Sequence, residues 1–412
     1  MIRSLSAFVR TRWLAGALKT RSGVTAWQQK RLKHLLTKIL PSFPFYRQYE
    51  SSTLADLPVI DKAVLMSRFL DFNSAGVTAE AGWAIFEGRA PQIPGLSVGA
   101  STGTSGNRGL YVVSDAERRE WLGVMLAKTL PRFPFQTAKV ALVLPLNSAL
   151  YQAAADTARL KLRFFDLNEG LEVILPKVEA YGPDTVIAPP KVLRALAEDR
   201  PALNLKRIFS GAEVLDPLDR AVIEDYFAVP VREIYMATEG LLGVACEYGT
   251  LHLSEDVVHF EFEPVGGGLV TPIITDFTRN VQAMCRYRMN DLLRLSGKPC
   301  RCGSPLQAVS EIVGRCDDLL VIGGHSLTPD ILRNAIVDAD RRIQDFRLRQ
   351  TGAAALELIL SDKVPAETLE YAAAALARLL DKLGVSAEIV ARQEPLITAA
   401  HKLRRVENAW RG

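Results

Sequence analysis

Five short apolar runs that alternate with helical patterns constrain the fold of this chain more than any other feature. The runs occupy residues 138–144, 162–165, 185–188, 207–210 and 231–234. Helical patterns at 117–130 and 150–160 flank the first of them. Apolar runs of this length, each ending at a loop, are typical of strands buried in a partly parallel sheet. The sequence therefore predicts an α/β fold with layered sheets and helices on their faces.

The length of 412 residues indicates more than one domain, because a single core rarely serves so long a chain. We predict a large N-terminal domain over residues 1–314, in which short strands and glycine turns at 240–312 form a β-rich subdomain. Residues 315–412 are predicted to form a small α+β C-terminal domain, with helices at 330–339 and 366–383.

The charge is distributed unevenly, although the formal net charge of +4 is small and does not indicate nucleic-acid binding. Ten Lys or Arg residues precede the first acidic residue, Glu50. They are Arg3, Arg10, Arg12, Lys19, Arg21, Lys30, Arg31, Lys33, Lys38 and Arg47. This basic segment is interpreted either as the solvated face of amphipathic helices or as a surface that docks an acidic carrier protein or an anionic membrane.

Two further features bear on the compartment. No apolar run approaches the roughly 20 residues that a membrane-spanning helix needs, and the N-terminus does not have the pattern of a signal peptide. The five cysteines are an odd number in a long chain, which favours a reducing compartment over a disulfide framework. We therefore expect a cytoplasmic protein without a transmembrane segment.

A segment rich in glycine, serine and threonine is the first candidate binding motif. It consists of Ser101, Thr102, Gly103, Thr104, Ser105 and Gly106. A cation, Arg108, follows it, and the whole loop is predicted at 95–109. Backbone N–H groups and hydroxyls in such a loop can donate to a polyphosphate, and glycine permits close approach. Alone, the pattern is more often an ordinary flexible loop.

Two more candidate motifs lie at the ends of apolar runs, where open α/β sheets bind ligands. Their residues are Gly211, Ala212 and Glu213 in the first, and Tyr235, Thr238 and Glu239 in the second. In the second motif, the threonine hydroxyl can donate to a phosphate, and the glutamate is a hard oxygen ligand for Mg²⁺. The corresponding structural interpretations are a strand-to-helix turn and a helix cap.

Three motifs follow in the last third of the chain. Asp291 ends the sequence Arg-Tyr-Arg-Met-Asn-Asp and can accept hydrogen bonds from both ribose hydroxyls, or form an ion pair at a strand end. Residues 314–329 open with Gly-Arg-Cys-Asp-Asp, which includes Arg315, and contain Gly324. Lys402 opens a basic Lys-Leu-Arg-Arg sequence that alone would be taken as solvated.

A separate set of cysteines and a histidine has the composition of a structural zinc site. Cys246 and His252 are separated by five residues, and Cys300 and Cys302 by one. Three thiolates and one imidazole suit tetrahedral Zn²⁺ without an open position for chemistry. Buried free cysteines are the alternative interpretation, and His259 is a spare ligand candidate.

Taken in chain order, these motifs resemble those of the adenylate-forming superfamily, which includes acyl-CoA synthetases, peptide-synthetase adenylation domains and luciferases. The resemblance covers roughly residues 95–412. The short length, the Cys-x-Cys-Gly sequence and the ending Lys-x-x-Arg-Val are similar to the phenylacetate–CoA ligase branch. The chain departs from the family pattern at Arg108, Met289, Asn290 and His401, where the family often has lysine, threonine, glycine and glycine.

The resemblance implies ATP-dependent activation of a carboxylic acid, with Mg²⁺, through an acyl-AMP. The implied ligands are residues 101–106 for the β- and γ-phosphates, Thr238 for the α-phosphate, Glu239 for Mg²⁺, Asp291 and Arg315 for the ribose, and Gly211, Ala212, Glu213 and Tyr235 for the rest of the nucleotide. Lys402 would bridge the carboxylate and the phosphate from a small, mobile C-terminal lid. Asp317 falls at the hinge of that lid, and Gly324 would flank the tunnel by which a thiol enters.

The acid and the acceptor stay open at this stage. An aryl or other small acid follows only from the branch resemblance, and coenzyme A or a phosphopantetheine carrier protein is the first choice of acceptor. The alternatives are an acyl-protein synthetase or acyl transferase that uses a fatty acid, an amide-forming ligase, and a non-catalytic nucleotide-binding scaffold. A homodimer is also left open.

Overall fold

The computed structural model describes residues 2–49, 52–101, 108–144, 159–343, 345–396 and 405–410. The α-helices, numbered along the described chain, are α1 (Ile2–Ala17), α2 (Arg21–His34), α3 (Lys62–Ser67), α4 (Ala79–Phe86), α5 (Asp115–Thr129), α6 (Leu171–Tyr181), α7 (Pro190–Asp199), α8 (Pro217–Phe227), α9 (Pro329–Val337) and α10 (Ala366–Lys382). The strands are β1 (Leu96–Ala100), β2 (Leu110–Ser114), β3 (Ala138–Leu144), β4 (Leu160–Asp166), β5 (Thr185–Ala188), β6 (Arg207–Gly211), β7 (Val231–Ala237), β8 (Gly240–Ala245), β9 (Leu251–Leu253), β10 (Val258–Gly266), β11 (Leu269–Asp276), β12 (Tyr287–Arg288), β13 (Asp291–Leu295), β14 (Ala308–Arg315), β15 (Leu320–Ile322), β16 (His325–Leu327), β17 (Phe346–Gly352), β18 (Ala355–Ser361), β19 (Glu388–Glu394) and β20 (Val406–Asn408).

One twelve-stranded mixed sheet dominates the described part of the chain. Its hydrogen-bonded order is β10-β11-β13-β14-β9-β8-β7-β6-β5-β3-β4, with β12 beside β11. From β4 to β7 the neighbouring strands are parallel, and from β7 outward to β10 they are antiparallel. The predicted α/β fold with a partly parallel sheet is confirmed. The β-rich segment 240–312 does consist of strands, but they extend this sheet instead of forming one of their own.

Helices α7 and α8 cover one face of the parallel strands because each carries an apolar stripe at helical spacing. In α7, Val192, Leu193 and Leu196 are fully buried in a cluster with Val186 of β5. Each such side chain contributes about 2 kcal/mol by leaving water. Pro190 begins α7 at a position where the backbone has no helical partner to lose. The packing therefore fixes the carboxyl ends of β5 and β6, where the candidate site lies.

The hairpin of β1 and β2 corrects the predicted loop at 95–109. Leu96–Ala100 is a strand that pairs antiparallel with Leu110–Ser114. The pairing is continued by the Ser101 N–H, which donates to the Gly109 carbonyl at 2.8 Å. Apolar residues at Val98, Leu110 and Val112 alternate inward and outweigh the glycine and serine content. Residues 102–107 of the phosphate motif lie outside the described residues.

The segment after β14 builds its own core. The described strands form the hairpin β15–β16 and a four-stranded sheet of order β19-β18-β17-β20. Leu320, Leu332, Phe346, Leu358 and Leu376 are fully buried in one cluster between this sheet and helices α9 and α10. The predicted helices and strands of the C-terminal unit are found within a few residues of their expected positions. The expected boundary at 314–315 falls on the last residues of β14.

The first two helices pack against the large sheet region. Helix α1 lies so close to α5 that a Cβ at Gly123 would stand 2.2 Å from the Ser4 carbonyl oxygen, which only glycine allows. In α2, Trp27 Nε1 donates to the Asp256 carbonyl at 2.9 Å, and the Gln28 amide donates to the Glu255 carbonyl at 2.9 Å. None of the described helices is both long enough and apolar enough to cross a bilayer.

Candidate active site

A single cleft of about 720 Å³ brings most of the predicted binding residues together. It opens at the carboxyl ends of β5, β6 and β7 and is closed on one side by the C-terminal unit. The predicted residues on its wall are Ser101, Ala212, Glu213, Tyr235, Thr238, Glu239, Asp291, Arg315 and Asp317. These residues come from distant parts of the chain, so the parallel strand ends and β14 together create the site.

The turn after β6 supplies one wall of the cleft. Gly211 is the last, buried residue of β6, and Ala212 follows with a positive φ of 68°. The predicted strand-to-helix turn is present, since Asp216 caps α8 by accepting from the Leu218 N–H at 2.9 Å. Ser210, one residue earlier, lines the cleft, and its buried Oγ has no hydrogen-bond partner among the described residues. A polar ligand in the cleft would therefore satisfy it.

Thr238 and Glu239 form the two-residue turn of the β7–β8 hairpin, in which Ala237 pairs with Gly240. The helix cap considered from the sequence is therefore wrong, because the chain reverses into an antiparallel strand. The Thr238 hydroxyl donates to Glu239 Oε2 at 2.8 Å. A Cβ at Gly240 would stand 2.8 Å from Asp276 Oδ2, so the hairpin can approach this buried carboxylate only with glycine there.

Glu239 is only 9% exposed, and most of the polar side chains around its carboxylate are themselves buried. Arg279 Nη2 donates to the Thr238 carbonyl at 3.0 Å, while its buried Nε has no partner among the described residues. Burial and the Glu239 carboxylate raise the pKa of Tyr287, so that phenol stays protonated and donates to Glu239. Burial likewise raises the pKa of Asp276. A hard cation and a phosphate would complement this arrangement of carboxylate, hydroxyl and guanidinium.

Asp291 begins β13 opposite Arg315, the last residue of β14. Tyr235 donates its hydroxyl to Asp291 Oδ2 at 2.7 Å, and Arg315 Nε lies 4.0 Å from Asp291 Oδ1. Burial and the Asp291 charge raise the pKa of Tyr235 far above its usual value, so the phenol remains a donor. The carboxylate is thus held in one orientation at the edge of the cleft. The residues predicted for the ribose site therefore lie together, and an ion pair at a strand end alone does not account for the Tyr235 hydrogen bond.

Several cleft residues were not singled out from the sequence. Tyr111, Arg118 and Trp121 line the cleft wall together with Ser101. Arg118 and Trp121 lie in the first turns of α5, and this helix begins with a capping box between Ser114 and Glu117. The Ser-x-x-Glu pattern is readable in the sequence and predicts where the helix starts. Which helix face meets the cleft depends on tertiary packing and has no local signal.

The C-terminal segment is attached to the large unit beside the cleft by a buried ion cluster. Arg405 donates to Asp219 Oδ2 at 2.9 Å and Oδ1 at 2.8 Å, and its Nε donates to Asp345 at 3.1 Å. Arg194 also donates to Asp219 at 2.8 Å. Burial alone would raise the pKa of Asp219, but the two guanidinium groups outweigh it and hold that pKa below its usual value. Lys402, three residues before Arg405, lies outside the described residues.

The four predicted zinc ligands come together away from this cleft. The ligand atoms of Cys246, His252, Cys300 and Cys302 all lie within 4.8 Å of one another. Cys246 and Cys300 Sγ are 3.8 Å apart, and Cys302 Sγ is 3.3 Å from His252 Nε2. The other ring nitrogen, His252 Nδ1, lies 3.2 Å from the Leu306 carbonyl, which orients Nε2 toward the sulfurs. His259 instead lies 3.0 Å from Gln28 Oε1 and is not part of this cluster.

Gly324 is a predicted cofactor-binding residue that the structure places away from the cleft wall, and Gly211, buried at the end of β6, does not line the wall itself. Gly324 lies in the exposed two-residue turn of the β15–β16 hairpin, between Ile322 and His325. Gly323 and Gly324 both have positive φ, at 56° and 80°, which explains the paired glycines by turn geometry alone. Two ion pairs join α9 of the C-terminal unit to the large sheet, Arg294 with Asp330 at 2.7 Å and Arg333 with Glu311 at 3.0 Å.

Part of the chain is similar in sequence to known proteins. No model of a known protein family matches it. Protein CapK of Staphylococcus aureus is 26% identical over 161 residues, which are 37% of this chain and 36% of that protein. A phenylacetate-coenzyme A ligase of Thermus thermophilus is 26% identical over 174 residues, 37% of this chain and 38% of that enzyme. The chain thus spans little more than a third of the length of these curated relatives.

Solved structures match over most of the chain. 2-Hydroxyisobutyryl-CoA ligase in the postadenylation state, in complex with R3-HIB-AMP, gives a TM-score of 0.68 at 18% identity and covers 94% of this chain and 89% of that one. The same ligase in the thioesterification state gives 0.54. The amide bond synthetase McbA from Marinactinospora thermotolerans gives 0.52 at 15% identity, over 73% of this chain and 67% of that one.

The chain therefore has the fold of the adenylate-forming ligases, as the order of its sequence motifs predicts. Within that class, the partial sequence matches agree with the phenylacetate–CoA ligase branch that the cysteine motif and the C-terminal ending indicate.

Proposed function

We propose that this chain activates a carboxylic acid with ATP through an acyl-AMP and then transfers the acyl group to a thiol. One observation carries the proposal. A single cleft gathers the Thr238–Glu239 turn, the Tyr235–Asp291 pair and Arg315, with the C-terminal segment anchored beside it. Separate structural roles would not require a hydroxyl, a carboxylate, a ribose acceptor and a cation to converge from the β7–β8 turn, β13 and β14. The unpartnered Ser210 Oγ and Arg279 Nε fit a polar ligand in the same space.

In the first step, a carboxylate oxygen bonds to the α-phosphorus, and the bond from that phosphorus to pyrophosphate breaks. Both reactants are anions, so neutralising charge is the main task of the site. Glu239 would hold Mg²⁺, and the Thr238 hydroxyl would rotate from Glu239 to donate to the α-phosphate. Ser101 and the loop through Gly106 would hold the outer phosphates. Lys402 would neutralise the attacking carboxylate as a point charge on a flexible stem.

The nucleoside is held by residues that the fold fixes independently of substrate. Asp291 would accept from the ribose hydroxyls while Tyr235 holds its carboxylate in one orientation, and Arg315 would balance its charge. Ala212 and Glu213 on the cleft wall, with Gly211 at the end of β6 beside them, would border the adenine. Because β6, β7 and β14 belong to one sheet, these contacts are preorganised and cost little ordering on binding.

In the second step, a thiolate attacks the acyl carbon and the bond to AMP breaks, releasing AMP and a thioester. Gly324 lies on an exposed hairpin, so this step requires the C-terminal unit to turn about Asp317 and bring the hairpin to the cleft. The chain matches 2-hydroxyisobutyryl-CoA ligase better in its postadenylation state, with a TM-score of 0.68, than in its thioesterification state, with a TM-score of 0.54. This difference supports a position of the C-terminal unit that precedes the turn needed for the second step. The acceptor is coenzyme A or a phosphopantetheine carrier protein, and an aryl or other small acid is the proposed substrate.

Two alternative functions can be distinguished from this one by experiment. An amide-forming ligase would share the first step and use an amine in the second, as the likeness in fold to an amide bond synthetase allows. An acyl-protein synthetase would prefer a fatty acid. Pyrophosphate release with a panel of aryl, short and long-chain acids, followed by product analysis with coenzyme A, a carrier protein and amines, separates these cases.

The decisive test uses Lys402→Ala, with Lys382→Ala on the exposed face of α10 as the matched control. Pyrophosphate release should fall by roughly 10²–10³-fold, the usual effect of removing a preorganised charge from a transition state. Thioester formation from separately supplied acyl-AMP should be almost unchanged. If the two rates fall together, or neither falls, the proposed role of the lysine and the two-step mechanism are wrong for this chain.

A structural Zn²⁺ in the Cys246–His252–Cys300–Cys302 cluster is part of the proposal. Four ligands around zinc, with Zn–S bonds of about 2.3 Å, place two sulfurs about 3.8 Å apart, and the observed Cys246–Cys300 separation is 3.8 Å. The Cys302 and Ser304 N–H groups lie near Cys300 and Cys302 Sγ, at 3.5 and 3.4 Å, as thiolate ligands favour. The ion would join the β8–β9 turn to the loop between β13 and β14.

A further inference from the structure

The outer face of α1 carries a continuous apolar stripe. Ile2, Leu5, Val9 and Trp13 are 56–85% exposed. Their spacing of three or four residues places them on one side of the helix. The residues that pack on α5, including Phe8 and Leu14, are buried on the opposite side. This helix is therefore apolar on two faces, and its second face meets solvent.

Cations border this stripe. Arg12 projects on one side of it, and Arg3 and Arg10 lie on the other by helical position. Arg3 and Arg12 are exposed, and Arg10 donates to Glu120 of α5 at 2.7 Å. Glu120 is thus the acidic group that α5 presents here, and it is already neutralised. The whole segment before Glu50 contains no acidic residue.

The loop between α5 and β3 adds to the same side of the molecule. Phe133 packs edge-on against Phe8 of α1, with ring centroids 5.7 Å apart. Two residues later, Phe135 is 88% exposed, and Arg132 is exposed as well. The loop therefore places another aromatic side chain and another cation next to the helix.

We propose that α1 and the 131–137 loop form a docking surface for an anionic lipid membrane. An apolar stripe with a tryptophan, bordered on both sides by arginines, is the arrangement of a helix lying in a membrane interface. The apolar side chains enter the acyl region, while the arginines extend outward to lipid phosphates. The attachment is peripheral, since the helix keeps its other face on α5.

Charge disfavours the other occupants. In a symmetric pair of copies, each stripe would bring its bordering arginines against those of its partner, with no described acidic group of α1 to balance them. An acidic protein partner would satisfy the cations, but an exposed stripe of four large apolar side chains also demands an apolar receiving surface. A bilayer with anionic headgroups supplies both. The proposal is independent of the chemistry assigned to the cleft.

The test measures flotation of the full chain with vesicles of phosphatidylcholine alone and of phosphatidylcholine mixed with phosphatidylglycerol. Binding should require the anionic lipid and weaken with added salt. Val9→Glu combined with Trp13→Glu should weaken it by about tenfold per side chain. Arg3→Gln combined with Arg12→Gln should weaken it by about fivefold per cation. The matched control is Tyr371→Glu with Val390→Glu, which replaces side chains 50% and 51% exposed on the C-terminal unit and should leave binding unchanged.

Circular dichroism and pyrophosphate release with a water-soluble acid verify that each variant is folded. If the glutamate variant does not fold, the glutamine variant tests the same surface. Equal flotation with both vesicle types, or equal loss in the Tyr371 and Val390 control, overturns the proposal. It is also overturned if the chain remains in solution with both vesicle types but self-associates, or binds an acidic carrier protein, through the same residues.

Discussion

Replacing Arg405 with methionine should release the C-terminal segment from the large unit without unfolding the protein. Arg405 is 7% exposed, and its guanidinium connects Asp219 on α8 with Asp345, which directly precedes β17. The next residues, Val406–Asn408, form β20, which pairs with β17 inside the C-terminal unit. Methionine preserves the unbranched stem and removes only the charged head, so the change isolates the ion cluster.

The structure sets the size of the effect. Arg405 contacts Asp219 at 2.8 and 2.9 Å, Asp345 at 3.1 Å and Asp216 at 3.4 Å. Removing one member of a buried ion pair costs roughly 3–5 kcal/mol. Arg194 still neutralises Asp219, so we expect a loss at the lower end, about 3 kcal/mol. That corresponds to about a 150-fold shift toward the undocked arrangement.

Hydrogen exchange of the amides in β20 and in the first turn of α8 should report this shift, because both are held by the cluster. Pyrophosphate release should fall as well, since Lys402 would spend less time at the cleft. Arg349→Met is the matched control, because Arg349 lies on the same sheet, is 41% exposed and forms long pairs to Glu357 and Glu407 at 3.5 and 3.7 Å. Its loss should cost less than about 1 kcal/mol. Unchanged exchange in folded Arg405→Met would refute the anchoring role.

Three further predictions concern other parts of the chain. Glu239→Gln should lower pyrophosphate release by roughly 10²-fold and raise the Mg²⁺ needed for half-maximal rate, whereas the exposed Glu247→Gln should change neither. Cys300→Ser should reduce bound zinc from about one ion per chain and lower the thermal midpoint, measured by elemental analysis and calorimetry; full-length wild-type protein that is folded but free of zinc would contradict the site. Docking of the C-terminal segment should weaken in acid, because the folded protein holds the pKa of Asp219 below its ordinary value of about 3.9. The stability that this carboxylate contributes is complete above about pH 3.9 and is lost as the pH falls through the lower pKa of the folded state. Equal protease sensitivity of the segment at neutral and acid pH would argue against this prediction.

The sequence was informative where local pattern and burial agree. The apolar runs at β3, β5 and β6 are strands because both of their faces are covered, so no alternation is needed to recognise them. Asp61 stands directly before a helical pattern, which is the sequence signal of a helix cap, and its side chain accepts from the Val64 N–H at 2.9 Å. Such signals depend on a few neighbouring residues and survive any tertiary arrangement.

Local pattern failed where pairing partners decide the structure. Residues 96–100 have the glycine and serine content of a loop, yet they form β1 because the apolar β2 lies opposite. Likewise, the short strands after residue 240 have turn-rich sequences that suggest a separate subdomain. Their hydrogen bonds to β7 and β14 make them part of the main sheet. Sequence spacing cannot reveal these long-range ladders, since register depends on what lies opposite.

The Thr238–Glu239 turn shows why the sequence could suggest candidate site residues but could not predict their geometry. The pair sits where the sheet changes from parallel to antiparallel, since β7 is parallel to β6 and antiparallel to β8. A parallel strand must end at this edge with its last side chains beside the carboxyl ends of β5 and β6. A tight hairpin at that point, in contrast to a crossover helix, keeps both side chains at the edge and lets the sheet continue to Asp291 and Arg315. The antiparallel turn at Thr238 and Glu239 is not predictable from the local sequence, yet it brings the residues proposed to bind phosphate, metal and ribose into one cleft.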